Sequence, residues 1–211
     1  SDRFTPATGV VDLQTLLGLT EAEPLAMSFY QPLAQKPGVL HCKLYHLNES
    51  LPLSDVIPVL ENLGLRVLGE FPFRVVQADG TQFWIHDFEF TFGAGASLDI
   101  QETNALFRDA FAAVWSGQAE NDAFNRLVLL AGLPWRDVAL LRAYARYLKQ
   151  IRLGFELPYI ASTLVAHADI ARELVRLFRT RFYLARKLSA DDLAEMQGKL
   201  ERAILGALDD V

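Results

Sequence analysis

The sequence predicts an α+β fold, in which an antiparallel sheet with helices in the split βαβ arrangement is followed by an all-α helical domain. Between residues 39 and 117 the patterns run strand, helix, strand, strand, helix. After Asp122 the apolar residues follow only the helical period. The charge changes at the same place: residues 1–122 carry 6 basic and 16 acidic side chains, and the rest of the chain carries 14 and 10. We therefore predict three segments: 1–37, 38–120 and 121–211.

The first segment combines a helical pattern with a strand pattern. A helix is predicted over residues 11–18 and a strand over residues 27–33. The chain begins at Ser1 without an initiator methionine and stops at Val211 without a helix-ending residue, so we expect both ends to continue in a longer protein. We interpret this segment as the tail of a preceding unit plus one strand.

The next run, Val39–Leu47, alternates with the period of a strand. One face carries Leu40, Cys42 and Leu44, and the other carries His41, Lys43 and Tyr45. An apolar face opposite a polar face predicts a half-buried strand, with the polar face in solvent.

A helix and a hairpin follow this strand. Ser54 is the predicted N-cap of the helix, and Gly64 closes it. Pro58 lies inside it, where it removes a hydrogen bond and can kink the first turn without ending the helix. Two β-rich runs, residues 66–77 and Gln82–Phe92, flank an Asp-Gly dipeptide and predict an antiparallel hairpin.

The remaining elements are predicted as helices. Ser189 with Asp192 three residues later resembles a capping box at the start of the last one. The predicted helices are residues 99–117, 123–131, 135–151, 158–166, 170–184 and 190–208.

The composition limits the functional classes. No apolar stretch approaches the roughly 20 residues that cross a bilayer, and the N-terminus lacks a signal-peptide pattern, so we expect a cytoplasmic protein. A single cysteine, Cys42, excludes an internal disulfide and predicts a buried, inert thiol.

Candidate motifs for chemistry fail on their context. Residues 93–98 read Gly-Ala-Gly-Ala-Ser-Leu and lack the third glycine of a dinucleotide fingerprint, so a connector is the simpler interpretation. His86 shares a strand face with aromatic residues, which predicts a hydrogen-bonded core histidine. The common nucleophile, phosphate-binding and zinc motifs are absent. We predict no catalytic, cofactor-binding or metal-binding residue in this chain.

Basic residues form the most prominent polar pattern. Arg142, Arg146 and Lys149 lie at i, i+4 and i+7 of one predicted helix, and we interpret them as a solvated or subunit-facing contact surface. The region can also be interpreted as a helix-turn-helix, but the pI near 5.2 argues against nucleic acid as a partner. A second cluster, Arg172, Arg176, Arg179 and Arg181, has the same interpretation.

Three stretches, taken in order, resemble the large bacterial NAD-specific glutamate dehydrogenases. They are Leu-Ser-Asp-Val-Ile-Pro-Val-Leu-Glu-Asn-Leu-Gly-Leu-Arg-Val at 53–67, Trp-Ile-His-Asp-Phe at 84–88, and 124–128 running through 135–144. The similarity is to the long region N-terminal to the catalytic domain of that family. It implies an ACT-like, ferredoxin-like module followed by a helical segment, without the final strand of the module, whose place the strand near residue 27 could fill.

The resemblance implies a parent enzyme that deaminates L-glutamate oxidatively to 2-oxoglutarate and ammonia with NAD, as a homo-oligomer. It places no catalytic residue and no cofactor in this chain, whose partners would be other domains and subunits of the same enzyme. Two alternatives remain open. One is amino-acid sensing at the loop of residues 46–52, where Asn48, Glu49 and Ser50 offer polar groups, and the other is nucleic-acid binding by the helix from Trp135.

Overall fold

The computed structural model of the protein describes residues 6–30, 38–92, 100–182 and 189–209. The chain forms two compact units, residues 1–104 and 105–211. The first contains a sheet with helices and the second contains helices among its described residues, so the predicted α+β class is confirmed.

The first unit is built on a four-stranded antiparallel sheet in the order β1-β2-β4-β3. Its strands are β1 (Leu25–Tyr30), β2 (Val39–Leu47), β3 (Leu65–Val76) and β4 (Gln82–Phe92). In a split βαβ sheet the last strand lies beside the first strand of the motif. Here β1, which precedes the motif in sequence, occupies that place beside β2, as the sequence predicted.

Strand β1 begins two residues earlier than predicted. Its pairing with β2 places Met27 opposite Leu44 and Phe29 opposite Cys42, so the apolar residues of both strands share one face of the sheet. Residues 31–33 of the predicted strand lie outside the described residues. Helix α1 (Pro6–Leu17) precedes β1.

Helix α2 (Leu53–Asn62) packs against β3 and buries Val56 and Leu60. The predicted N-cap was wrong: Pro52 occupies that position, and its carbonyl oxygen accepts hydrogen bonds from the amides of Asp55 and Val56. Pro52 has φ of −63° and ψ of 127°, the extended conformation usual at an N-cap, and the amide that proline lacks is not needed there. The helix continues through Pro58 to Asn62, and Gly64, two residues later with a φ of +95°, provides the predicted stop.

The predicted hairpin is confirmed. Gly80 has a φ of +90°, and the Thr81 amide donates to the Asp79 carboxylate at 2.9 Å. Hydrogen bonds from the Thr81 amide and then from the Thr81 side chain lower the pKa of Asp79. A register shift between Val67 and Gly69 lies in the outer strand β3, which also carries Pro72. Both features discourage further strand pairing at this edge.

The second unit contains most of the helical residues. The elements are α3 (Ile100–Trp115), which begins in the first unit, a 3-10 turn (Ala123–Arg126), α4 (Leu127–Leu130), α5 (Trp135–Gln150), α6 (Leu157–Ala166), α7 (Ala168–Phe182) and α8 (Ala190–Asp209). Residues 123–131, predicted as one helix, form the 3-10 turn and the single turn of α4. The Asp122 side chain accepts from the Phe124 amide at 3.0 Å and fixes the start of this turn.

Ser189 caps α8 as the predicted capping box requires, but the Asp192 side chain bonds to the Ser189 hydroxyl rather than to its amide. The Asp192 amide donates to Ser189 Oγ at 3.2 Å, and that hydroxyl donates to the Asp192 carboxylate at 2.5 Å. The predicted helix over residues 170–184 is observed as α7, and its last two residues lie outside the described part of the chain. No helix among the described residues is long and apolar enough to cross a membrane.

Candidate functional site

The face of the sheet that was expected to meet solvent instead carries a buried set of polar side chains, which we call the polar cluster. Helix α1 lies on this face and buries Leu16 against Tyr45, Phe83 and Ile85. One turn before Leu16, Asp12 points the same way, because residues four apart lie on one side of a helix. The members of the polar cluster are Asp12, Ser28, Tyr30, His41, Lys43, Tyr45 and Asp87.

Asp12 is the centre of the first half of the cluster. Lys43 donates to its Oδ2 at 2.6 Å, and the Tyr45 hydroxyl donates to its Oδ1 at 2.7 Å. Ser28 Oγ lies 2.9 Å from the same tyrosine hydroxyl. Lys43 is only 2% exposed and Asp12 is 6% exposed, so these opposite charges stabilise one another with little solvent screening.

Asp87 is the centre of the second half. The Tyr30 hydroxyl donates to its Oδ2 at 2.7 Å, and His41 Nδ1 lies 3.5 Å from its Oδ1. Lys43 and Asp87 are direct partners in the pairing of β2 with β4, which places the two halves side by side. The charged side chains of Lys43 on β2 and Asp87 on β4 therefore lie on the same buried face of the sheet.

The prediction of a half-buried β2 was wrong for this reason. His41, Lys43 and Tyr45 are as buried as the apolar residues on the opposite face, since Asp12 and Asp87 supply their partners. Burial, with the neighbouring Asp12, raises the pKa of Tyr45, so the phenol stays protonated. An amine bound to a carboxylate and a protonated phenol provide no free nucleophile, and we interpret the cluster as structural.

The signal that could have revealed the cluster is the position of its charges. Asp12 follows Val10 and Val11 on α1, and Asp87 stands inside an aromatic run. A lone charge in an apolar segment is seldom fully buried unless it is paired. The sequence does not show which charges pair, because 31 residues separate Asp12 from Lys43.

The loop of residues 46–52, predicted as a possible effector site, is anchored to the sheet by a hydrogen bond to His86. The Leu51 amide donates to His86 Nε2 at 3.2 Å, and His86 Nδ1 lies 2.8 Å from Glu70 Oε1. Because Nε2 accepts, Nδ1 carries the proton and donates to Glu70. His86 is thus the predicted hydrogen-bonded core histidine, and it joins two strands to the loop.

The three residues named for the loop differ in their roles. Ser50 Oγ lies 3.4 Å from His86 Nε2, and the Glu49 carbonyl oxygen lies 2.8 Å from His46 Nδ1. Asn48 adopts a left-handed φ of +68°, a conformation that asparagine tolerates better than most residues. The loop therefore presents the exposed side chains of Asn48 and Glu49 on a fixed backbone.

We expect His86→Phe to lower the free energy of unfolding by about 1–3 kcal/mol, because the buried Leu51 amide loses its acceptor. Urea denaturation measures the loss, and hydrogen exchange of the Leu51 amide locates it. His46→Phe is the matched control, since His46 bonds to the same loop but is more exposed. An unchanged exchange rate at Leu51 in His86→Phe would contradict this role for His86.

Of the three residues of the predicted basic surface on α5, Arg142 is buried and the other two are exposed. Arg142 is only 4% exposed: its Nε and one terminal nitrogen donate to Asp122 at 2.7 and 2.8 Å, and that terminal nitrogen also lies 2.9 Å from Asn125 Oδ1. Its placement on a solvated surface was therefore wrong, because the chain before α5 folds back and provides its partners. Arg146 and Lys149 do lie on the surface, paired with Glu120 and Glu156.

The arginines of α7 also have local partners. Arg172 donates to the Ala131 carbonyl oxygen at 2.7 Å. Arg176 pairs with Glu173, Arg179 with Asp137 and Arg181 with Glu201. Much of the basic charge of this unit is thus matched by nearby acidic groups.

Two other candidate sites are a metal site and the glycine-containing run. Among the described residues no group of three His, Cys, Asp or Glu side chains is placed to hold a metal ion. The glycine-containing run at 93–98 lies outside the described residues.

Cys42 is expected to be unreactive toward a thiol reagent in the folded chain. It is fully buried, and burial followed by the charge of Asp87 raises its pKa far above the ordinary range. A dinitrobenzoate reagent should titrate no thiol at pH 7 or at pH 9, and one thiol in 6 M guanidinium, a denaturing concentration for most domains. Reaction at pH 9 without denaturant would contradict the prediction.

Two family models match the chain in order. Residues 24–103 match the ACT3 domain of glutamate dehydrogenase, and residues 119–184 match helical motif 3 of glutamate dehydrogenase. The first match begins just before β1, and so includes all four strands of the sheet.

Three relatives carry the name NAD-specific glutamate dehydrogenase. The Pseudomonas aeruginosa protein is 69% identical over 210 residues, 100% of this chain and 13% of the relative. The Halomonas elongata protein is 47% identical over 208 residues, 99% of this chain and 13% of the relative. The Mycobacterium tuberculosis protein is 34% identical over 183 residues, 84% of this chain and 11% of the relative. The chain spans about an eighth of the length of the relatives it matches.

Proposed function

We propose that the chain, which belongs to the NAD-specific glutamate dehydrogenase family, is a non-catalytic regulatory and assembly region of such an enzyme. It contains the ACT3 domain and helical motif 3 of that family. The parent enzyme would convert L-glutamate and NAD to 2-oxoglutarate and ammonia, with NAD bound outside this chain. Its partners would be other domains and subunits of a cytoplasmic homo-oligomer. The domain limits at residues 37 and 120 stay a prediction.

The observation that carries this proposal is the match, in order, of two non-catalytic modules of glutamate dehydrogenase. The relative from Pseudomonas aeruginosa, of which the chain covers 13%, is about eight times as long. The polar groups described above support it. Lys43 and Arg142, the lysine and the arginine that are buried in the described part of the chain, are both held by carboxylates, which suits a scaffold better than a site for proton transfer.

The experiment is a transplant into the Pseudomonas aeruginosa relative. This chain replaces the matching region, and a second variant lacks that region altogether. We expect the transplant to keep the mass of the assembly and the glutamate-dependent reduction of NAD, because 69% of the residues are already identical. The deletion should lose the assembly, the activity or its response to effectors.

Two results would overturn the proposal. One is a deletion variant that keeps the mass, activity and regulation of the parent. The other is oxidation of glutamate with NAD by the purified 211-residue chain alone.

Amino-acid sensing at the loop of residues 46–52 is a second candidate. The exposed side chains of Asn48 and Glu49 favour it, because the bonds of the loop to His46 and His86 hold these polar groups in place. We expect binding heat with at least one amino acid in a calorimetric panel, and its loss in Asn48→Ala together with Glu49→Ala. No heat with any amino acid, at protein concentrations that allow dimerisation, would reduce the region to a scaffold.

A further inference from the structure

An apolar groove lies between α5, α6 and α7 in the second unit. Its volume is about 350 Å³. The main lining residues are Leu141, Tyr144, Leu148, Leu177, Phe178 and Phe182. The Tyr144 and Phe178 rings meet edge to face at 5.9 Å, and the Phe178 and Phe182 rings lie 4.7 Å apart, so the aromatic residues hold one another in place.

The groove opens onto an exposed apolar surface. Tyr144 is 46% exposed, Leu174 is 36% exposed and Phe182 is 57% exposed. Ile151, which directly follows α5, is exposed as well. Single exposed apolar side chains are ordinary, but neighbouring ones around a concave site mark a binding surface.

The lining is unsuited to a polar small molecule. Among the described residues that line the groove, Arg181 alone is charged, whereas small-molecule sites usually fix their ligand with several converging polar groups. A groove between helices with aliphatic and aromatic walls fits the apolar side of a further helix, whose residues at i, i+3 or i+4 and i+7 would enter it. Aromatic residues and arginine are the side chains that most often dominate such contacts.

We infer that this groove receives an amphipathic helix from the part of the glutamate dehydrogenase polypeptide outside these 211 residues. The inference rests on the proposed function. The chain covers only 13% of its relative from Pseudomonas aeruginosa, so most of the polypeptide that could cover the groove lies elsewhere in the sequence.

Cysteine labelling tests this inference. Leu174→Cys places a thiol in the groove, and Ser162→Cys places one on the exposed side of α6, outside the lining. Each variant is made in the isolated chain and in the transplanted Pseudomonas aeruginosa protein. Maleimide labelling is counted on the individual peptides by mass spectrometry, so that other cysteines do not interfere.

We expect both thiols to react at similar rates in the isolated chain. In the transplant the thiol at position 174 should react about tenfold more slowly, as for a groove occupied roughly nine-tenths of the time, while the thiol at 162 keeps its rate. Tyr144→Cys is a second reporter, on α5, if Leu174→Cys disturbs the fold.

Equal labelling at position 174 in both proteins would overturn the inference. Protection in the isolated chain that grows with protein concentration would also overturn it, because the occupant would then be a second copy. The proposed function fails on a separate measurement, the mass and activity of the deletion variant, so the two failures can be distinguished.

Discussion

Replacing Asp12 by alanine is expected to lower the free energy of unfolding by about 3–5 kcal/mol, the loss typical of removing one partner from a buried ion pair. The ammonium of Lys43 lies 2.6 Å from the Asp12 carboxylate and would stay buried without a counter-charge. The Tyr45 hydroxyl would lose an acceptor at the same time. Urea denaturation of the purified chain measures the loss, and hydrogen exchange of the β2 amides shows that the sheet is affected.

Two further variants separate the charge from the rest of the helix. Leu13→Ala changes the next residue of α1, which is 53% exposed, and should change stability by no more than about 0.5 kcal/mol. Asp12→Leu with Lys43→Met replaces the pair by apolar groups of similar volume and should recover most of the loss. A change below about 1 kcal/mol in Asp12→Ala would show that Lys43 finds another partner.

The sheet could be predicted from the sequence because its evidence is local. The alternation of apolar and polar residues predicted β2, and the Asp-Gly turn predicted the hairpin of β3 and β4. The motif lacked its last strand, which suggested that the run near Met27 takes that place in the sheet. The polar face of β2 could not be predicted in the same way. Whether Lys43 meets water or a carboxylate depends on Asp12, which only the packing of α1 brings near.

The helical unit shows the same limit. Most of its helices begin and end within two residues of the predicted positions, because capping residues and glycines lie next to them in sequence. The surface prediction for Arg142 followed from its spacing with Arg146 and Lys149 alone. Spacing describes one helix, whereas the burial of Arg142 depends on Asp122 and Asn125 of the preceding turn.

Arg142→Ala is expected to lower the free energy of unfolding by about 3 kcal/mol, at the lower end of the range for breaking a buried ion pair. The loss is placed there because the Asp122 side chain is 35% exposed and can recover some hydration. The buried side chain of Asn125 would lose the Arg142 contact at its Oδ1 and keep its bond from Nδ2 to the Glu120 carbonyl oxygen. Urea denaturation measures the loss.

Conservative and matched variants then test whether geometry or charge matters. Arg142→Lys keeps the charge but cannot make the two parallel hydrogen bonds to Asp122, so it should recover less than half of the loss. Arg146→Ala removes an exposed pair one turn along the same helix and should cost no more than about 0.5 kcal/mol. If Arg142→Ala and Arg146→Ala had equal small effects, both would act as surface charges. A large difference would instead assign Arg142 to the interior that shapes this helical unit, leaving Arg146 and Lys149 as the residues of the original trio that another domain can reach.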